Sequence, residues 1–377
     1  MSLRERLGVP ERNLKHSLFS KYGVIDNPFP SASQTNTHPH MPTDTDATIE
    51  DRLRTFINDK RTQVLIIEGT QGIGKTNLLE YYANELIGEP PILPGYIIVR
   101  YSPDPEPDFG RVVQRIIHAF GHERVQEIGI KLSEPDKAQA IQHIKSPDLR
   151  NAFKNLAQSN KDKQRLGEVA VLCFDYLLGN RLLKRHTEVL GVHFRIDTTE
   201  AKTQALHDLV YLSVELGVLS AVFLFMDELE KVGGLHSVSI TTRYLYGIRA
   251  LIDALPDNLF MMMGITPDAR QRYAEMFPAL SARFQQSLRL NPLRSTEEAI
   301  KLFRFYLDSA RERAKRDSSV SELETGKDDL VFEGDARKVF DTLQAQGGQL
   351  ATRPITQRAF LGSLYNLVDK RIQDMMQ

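Results

Sequence analysis

Residues 64–76 read VLIIEGTQGIGKT, and this stretch decides the fold. Its first four residues are aliphatic and predict a short buried strand. The next eight, GTQGIGKT at 69–76, match the pattern G-x-x-x-x-G-K-[ST] at every fixed position. Residues 77–86, NLLEYYANEL, carry apolar side chains at helical spacing. The stretch therefore predicts a strand, a glycine-rich loop and a helix in succession.

A loop of this spacing suits the phosphates of a nucleotide. Glycines allow the backbone to curl with its N–H groups pointing inward, and the helix N-terminus adds partial positive charge. Lys75 is expected to reach the β- and γ-phosphates, and Thr76 to offer its hydroxyl to Mg²⁺. The predicted nucleotide-binding residues are Gly69, Thr70, Gln71, Gly72, Ile73, Gly74, Lys75, Thr76 and Asn77. A glycine-rich turn that matches by chance is the alternative, which the flanking strand and helix disfavour.

Length and composition limit the number of domains, the partners and the cellular location that we expect. The 377 residues suffice for two or three domains, and the formal net charge of −1 gives no global attraction to nucleic acid. The single cysteine, Cys173, lies in an apolar run and is interpreted as a core residue rather than a nucleophile. The N-terminus lacks the apolar stretch of a signal peptide, and charge or glycine interrupts the most apolar segment, 209–226. We therefore expect a cytoplasmic protein without a membrane partner.

Polar residues end two further predicted strands. The run SAVFLFMDELE at 220–230 is typical of a central parallel strand that carries Asp227 and Glu228 at its carboxyl end. Asp227 is expected to hold Mg²⁺ through water and Glu228 to polarise the attacking water. A strand that simply ends in acidic turn residues is the alternative. The run LFMMMGIT at 259–266 predicts another buried strand, ending in Thr266, and Arg283 precedes a last strand around 286–290.

Three regions follow from these patterns. Residues 1–48 predict an irregular N-terminal arm, which either lies over the core or brings Phe29 or Tyr22 near the purine base. Residues 49–292 predict the α/β core, with a helical insertion at about 121–219 whose basic run RLLKRH (181–186) is either a solvated helix face or a nucleic-acid contact. Residues 293–377 predict a helical lid, with a brief strand at 330–332 and a last helix that has Pro354 in its first turn.

The order of these motifs resembles the AAA+ ATPases. The motifs are GTQGIGKT, FLFMDELE, MMMGIT and PALSARF, followed by a helical bundle. The resemblance is to the broad Orc/Cdc6 and STAND-like group and covers about residues 20–370 apart from the helical insertion. The segments GVLSAVFLFMDELEKVGG, GITPDARQRYAEMFPALSARF and RPITQRAFLGSLYNLVD are similar in style to ATP-binding proteins of BREX-type phage-defence systems. Tn7-like transposition ATPases are a second candidate neighbour.

The resemblance implies a fold and a role for each matched residue. The fold is a P-loop AAA+ parallel sheet core with a C-terminal helical lid. Lys75 and Thr76 correspond to Walker A, Asp227 and Glu228 to Walker B, and Thr266 to sensor 1. Arg283 corresponds to an arginine finger that reaches a neighbouring subunit, with a structural salt bridge as the alternative. Arg358 is the first candidate for sensor 2 and Arg353 is the second, although neither lies in the usual Gly-x-x-Arg motif.

Three functions compete at this point. The first is an oligomeric Mg·ATP hydrolase that drives or gates a nucleic-acid-linked process such as phage defence, loading or transposition. The second is an ATP-bound switch or scaffold with little turnover, which recruits partner proteins through the helical insertion. A small-molecule P-loop kinase is third, because it leaves the acid pair, Arg283 and the helical end unexplained. DNA as a partner follows from the resemblance, and no winged-helix segment is found after the bundle.

Overall fold

The computed structural model of the chain describes residues 17–33, 38–88, 94–104, 106–234, 237–281, 283–284, 286–317, 330–348 and 354–376. These divide into two compact units. One consists of the described residues within 44–68 and 82–288, and the other of the described residues within 1–43, 69–81 and 289–377.

A five-stranded sheet forms the centre of the first unit. The strands are β1 (Gln63–Glu68), β2 (Tyr96–Tyr101), β3 (Ala221–Met226), β4 (Leu259–Ile265) and β5 (Gln286–Arg289), in the spatial order β2-β3-β4-β1-β5. The pairs β2/β3, β3/β4 and β4/β1 are parallel. All residues of β3 and β4 are buried, as continuous apolar runs in a sheet covered on both faces require. This confirms the predicted α/β class with the phosphate-loop strand inside the sheet.

Helices make up most of the remaining described chain. They are α1 (Asp44–Asp59), α2 (Lys75–Glu85), α3 (Phe109–Phe120), α4 (His122–Leu132), α5 (Pro147–Gln158), α6 (Lys163–Leu177), α7 (Lys184–Leu190), α8 (Thr199–Glu215), α9 (Val238–Ala254), α10 (Pro267–Met276), α11 (Thr296–Arg316), α12 (Glu333–Gly348) and α13 (Gln357–Met376). Short helices lie at Ala138–His143, Ser159–Lys161, Lys231–Gly234 and Pro278–Ser281. No helix among the described residues is long and apolar enough to cross a membrane.

The predicted helical insertion between β2 and β3 is confirmed. Helices α4 to α8 fill it, and their apolar faces join the core of the first unit. Cys173 on α6 is 1% exposed, and burial raises the pKa of its thiol, so it is the core residue that the sequence predicted.

The second unit has a core of its own. The arm contributes Phe19, Val24 and Phe29, and the helices α11, α12 and α13 contribute the larger share. Two predictions fail in this unit. Residues 330–332 form a bend before α12 rather than a strand. Pro354 precedes α13 by three residues and is followed by an antiparallel bridge between Ile355 and Leu293, which occupies the backbone that a first helical turn would need.

Candidate nucleotide-binding site

The glycine-rich loop lies between Glu68, the last residue of β1, and Lys75, the first residue of α2. Gly72 and Gly74 have φ angles of 80° and 103°, in the region that residues with a Cβ rarely adopt. The helix begins two residues earlier than the pattern of 77–86 predicted, so that Lys75 and Thr76 belong to its first turn. A loop of this shape directs a helix N-terminus at the ligand.

Close packing surrounds the loop on one side and leaves it open at Gly74. A Cβ on Gly69 would lie 2.5 Å from Cγ2 of Ile73, and one on Gly72 would lie 3.1 Å from Cβ of Arg358. A Cβ on Gly74 would meet no atom within 4 Å. The loop is therefore a cradle with one accessible face, and this fits a phosphate group.

The Lys75 ammonium lies within this loop. Only 7% of the residue is exposed, and Nζ donates to the carbonyl oxygens of Gly69 at 2.8 Å and Thr70 at 3.3 Å. A buried ammonium requires hydrogen-bond acceptors, and phosphate oxygens are stronger acceptors than peptide carbonyls. The donor set therefore fits a bound triphosphate.

The N-terminal arm contacts the helix that follows the loop. Nδ2 of Asn77 donates to the carbonyl of His38 at 2.9 Å, which fixes the orientation of the amide. Oδ1 of Asn77 consequently accepts from Nδ1 of His40 at 3.1 Å, and the His40 ring stacks on Tyr81 with the centroids 4.6 Å apart. His38 also bonds the hydroxyl of Tyr306 on α11, at 2.7 Å, and burial lowers its pKa. The sequence does not predict these contacts, because no short motif links either histidine to Asn77.

The aromatic residues proposed for the purine lie elsewhere. Phe29 is 2% exposed and stacks on Phe303, with the ring centroids 5.6 Å apart. The hydroxyl of Tyr22 donates to Sδ of Met375 at 3.5 Å. Of the two interpretations of the arm, the structure therefore favours the one in which it lies over a core, here that of the C-terminal helices.

Acidic and polar residues follow β3 and β4 at one edge of the sheet. Met226 pairs with Met263, and Glu68 pairs with Ile265, so the carboxyl ends of β3, β4 and β1 share that edge. Asp227 and Glu228 come directly after β3, and Thr266 comes directly after β4. The structure thus brings Asp227, Glu228 and Thr266 to the same edge, as parallel neighbouring strands require.

The backbone of the acid pair is tightly held. The N–H of Asp227 donates to the carbonyl of Tyr101 at 2.9 Å, and Oδ1 of Asp227 accepts the N–H of Glu228 at 2.8 Å. Glu228 has a φ of 54°, a positive value that few non-glycine residues adopt. Its carboxylate forms an ion pair with Lys231.

A further ion pair lies at the same edge, and the sequence motifs do not predict it. Nη1 of Arg270 on α10 contacts Oε2 of Glu68 at 2.5 Å, and Oγ of Ser287 donates to the same oxygen at 3.2 Å. The available signal was Glu68 itself, the only charged residue in the strand QVLIIE and its last.

The two candidate arginines have distinct surroundings. Nε of Arg283 bonds Oδ1 of Asp253 on α9 at 3.1 Å, within its own chain. The backbone N–H of Arg358, the second residue of α13, donates to the carbonyl of Gly72 at 3.0 Å. Arg358 therefore lies against the glycine-rich loop, whereas Arg353 falls outside the described residues.

A metal here would need ligands beyond the protein. Among the described residues, no group of three or more His, Cys, Asp or Glu side chains is placed to hold an ion. Mg²⁺ commonly takes one or two protein oxygens together with water and substrate phosphates. Thr76 and Asp227 remain the ligands that the sequence predicts.

Comparisons with known proteins add a loose similarity of fold. No protein-family model matches the chain, and no curated protein matches it. Two solved structures of the Aeropyrum pernix ORC2 protein are similar to it. The structure of the ADPNP–ADP complexes has 12% sequence identity and a TM-score of 0.40, and covers 92% of this chain and 72% of the ORC2 chain. The ADP form has 13% identity and a TM-score of 0.37, with 92% and 73% covered. Because both scores are low, the fold assignment depends on the strand order and glycine-rich loop of this chain.

Proposed function

We propose that this chain is an AAA+ type ATPase that binds and hydrolyses Mg·ATP. The observation that carries the proposal is the buried Lys75 ammonium, which lies at the start of α2 inside a glycine-rich loop that is open at Gly74. The loop amides and Lys75 would bind the triphosphate, and Thr76 and Asp227 would hold Mg²⁺. A bound magnesium ion would neutralise phosphate charge.

The residues at the sheet edge support hydrolysis rather than binding alone. Glu228 would accept a hydrogen bond from the attacking water and orient it, and Thr266 would bind the water or the terminal phosphate. Phosphoryl transfer needs positioning and charge stabilisation more than covalent chemistry, and these two side chains can supply positioning. Arg358 would contact the nucleotide from α13, since its backbone already bonds Gly72.

The proposed role of Arg283 requires an oligomer. In the proposed assembly Arg283 leaves Asp253 and stabilises charge on the triphosphate of a neighbouring subunit. The proposed role of the assembly is to drive or gate a process linked to nucleic acid, such as phage defence, loading or transposition, in the cytoplasm.

Two ion pairs favour a second candidate, an ATP-bound switch or scaffold that recruits partner proteins and turns over slowly. The Arg283 guanidinium bonds Asp253, and the Glu228 carboxylate bonds Lys231, so both side chains are held away from a catalytic role in this conformation.

Steady-state ATP hydrolysis separates the two candidates. We expect the parent chain to hydrolyse ATP, faster at higher protein concentration, and Glu228→Gln to bind ATP but lose most turnover. The assay is run with and without duplex DNA. A parent as slow as Glu228→Gln under every condition would leave only the switch.

A further inference from the structure

The middle part of the helical insertion, residues 138–195, has an excess of positive charge that the whole chain does not have. Residues 138–195 include ten lysines and arginines but only five aspartates and glutamates, whereas the full chain has 48 lysines and arginines and 49 aspartates and glutamates. Two of the five acids are engaged in the fold, because buried Asp148 accepts two backbone N–H groups and Asp162 caps α6. The surface formed by residues 138–195 therefore carries a net positive charge.

A cleft of about 730 Å³ opens on this surface between α4, α5 and the two short helices Ala138–His143 and Ser159–Lys161. Its polar lining includes three cations and three amides, namely Arg150, Lys154, Lys161, Asn151, Gln158 and Asn160, and no carboxylate. Leu132 and Ile141 add apolar surface. Such a lining favours a ligand that carries negative charge, hydrogen-bonding edges and a flat apolar face together.

The cleft cations are available to a ligand. Among the residues that the structure describes, none forms an ion pair with Lys154 or Lys161. Arg150 bonds the carbonyl of Ile144, at 2.6 Å, and this neutral partner leaves its positive charge without a counter-charge among the described residues.

An exposed phenylalanine lies beyond α5. Phe194 is 80% exposed, yet both ends of its peptide are fixed. Its N–H donates to Oδ2 of Asp148 at 2.7 Å, and its carbonyl accepts from the hydroxyl of Tyr176 at 3.1 Å. Buried hydrogen-bonding groups thus fix the backbone of a residue whose large aromatic ring is exposed to solvent.

A hydrogen bond links the segment that carries Phe194 to the cleft. Asn151 lines the cleft and also donates to the carbonyl of Gly191, three residues before Phe194, at 3.2 Å. Arg181 and Arg195 are exposed near this turn, and neither forms an ion pair with any described residue. The turn that carries Phe194 is therefore attached to a residue that lines the cleft.

We propose that this surface binds single-stranded nucleic acid, with an unpaired base stacked on Phe194 and the strand running across α5 into the cleft. Unpaired bases stack on aromatic rings, phosphates bind lysine and arginine, and amide side chains pair with base edges. A duplex keeps its bases stacked on one another, so none of them is available to stack on Phe194. An acidic peptide would satisfy the cations but not the combination of amides and ring.

The test is fluorescence anisotropy of a labelled oligothymidylate of about 20 nucleotides with the full chain, in the absence of ATP. We expect Phe194→Ala to bind at least about fivefold more weakly, and Phe194→Trp to retain parent affinity, since one base–aromatic stack is lost or kept. Lys154→Glu should weaken binding and reduce the slope of log K against log salt by about 0.7 or more.

Matched controls lie outside this surface. Phe332→Ala, another exposed phenylalanine, and Lys301→Glu on α11 should bind as the parent does. Lys75→Ala should also bind the oligonucleotide normally, which separates this proposal from the nucleotide site. Equal affinity for a duplex with no effect of Phe194→Ala would overturn the proposal, as would no binding at all, or competition by polyglutamate as strong as by unlabelled oligonucleotide.

Discussion

Glu228 occupies a backbone conformation that costs a non-glycine residue of the order of 1 kcal/mol. The strand β3 ends at Met226, and the bond from the Glu228 N–H to Oδ1 of Asp227 holds the turn that follows. Strain at this position is consistent with a carboxylate placed for chemistry rather than for stability.

Replacing Glu228 therefore has a predictable effect on stability. We expect Glu228→Gly to have a free energy of unfolding about 1 kcal/mol higher than Glu228→Ala, because glycine adopts positive φ without strain. Urea unfolding measures the difference. At Glu168, in the interior of α6, the order should reverse, since alanine is favoured in helices. The same order at both positions would show that Glu228 is not strained.

Asp208 anchors the insertion through a fully buried carboxylate. It accepts the N–H groups of Lys145 and Ser146, the amide of Gln204 and Nδ1 of His207. Burial opposes ionisation, but the hydrogen bonds from His207 and the two backbone amides outweigh it, so the pKa of Asp208 is lowered. The ionised form is therefore the one that the fold stabilises.

The lowered pKa of Asp208 determines how its contribution to the free energy of unfolding changes with pH. Its contribution is complete above the usual value near 3.8 and is lost as pH falls through the lowered value. We expect Asp208→Asn to lower the free energy of unfolding by about 2 kcal/mol at neutral pH. The variant should also lose less stability than the parent as the pH falls below the usual carboxyl value near 3.8. Exposed Asp136→Asn is the control. A variant with the parent's acid sensitivity would contradict this account.

At the scale of elements, the contact between α9 and α3 depends on one glycine. A Cβ on Gly247 would lie 2.3 Å from Cγ of Phe109, the first residue of α3. Phe109 is buried and meets the Tyr244 ring edge-on at 5.6 Å between centroids, so it has little room to move.

Gly247→Ala and Gly167→Ala should have opposite effects. We expect Gly247→Ala to destabilise the protein by about 1–3 kcal/mol through overpacking. At Gly167 in α6, an added methyl group would meet no atom within 4 Å, so Gly167→Ala should stabilise the protein by about 0.5–1 kcal/mol. Thermal unfolding of both variants measures this pair. Two shifts of the same sign would contradict the close packing of α9 on α3.

The elements that the sequence predicts well have strong periodicity or a local cap. The helix Phe109–Phe120 has both signals, because Asp108 caps it and its apolar side chains repeat at helical spacing. The failure at Pro354 lies where tertiary pairing decides, since the bridge from Ile355 to Leu293 joins segments far apart in the chain. Propensity cannot reveal such a partner.

Some residues of the candidate site could be predicted from the sequence, and others could not. The loop, the acid pair and Thr266 were predictable because each immediately follows an apolar strand. The bonds from Asn77 to the arm, from Arg270 to Glu68 and from Arg283 to Asp253 join residues between 30 and 202 positions apart, and only the fold reveals them.

Arg283 supports a prediction about assembly. If it acts on the neighbour's triphosphate, Arg283→Ala and Lys75→Ala should each be inactive alone, and their mixture should regain ATP turnover. The reason is that one variant supplies an intact loop and the other an intact arginine. A mixture of Lys75→Ala with Glu228→Gln should stay inactive, because both changes affect the same subunit's site. Absence of rescue in the first mixture would assign Arg283 to its salt bridge with Asp253.

Titration of Mg·ATP into the pure protein in a calorimeter tests the central claim most directly. We expect one saturable site per chain in the parent and in Lys301→Ala, and loss of measurable binding in Lys75→Ala, with the thermal unfolding of that variant confirming that it is folded. Absence of heat with the parent, or equal affinity in Lys75→Ala, would contradict the assignment of the glycine loop as a triphosphate site.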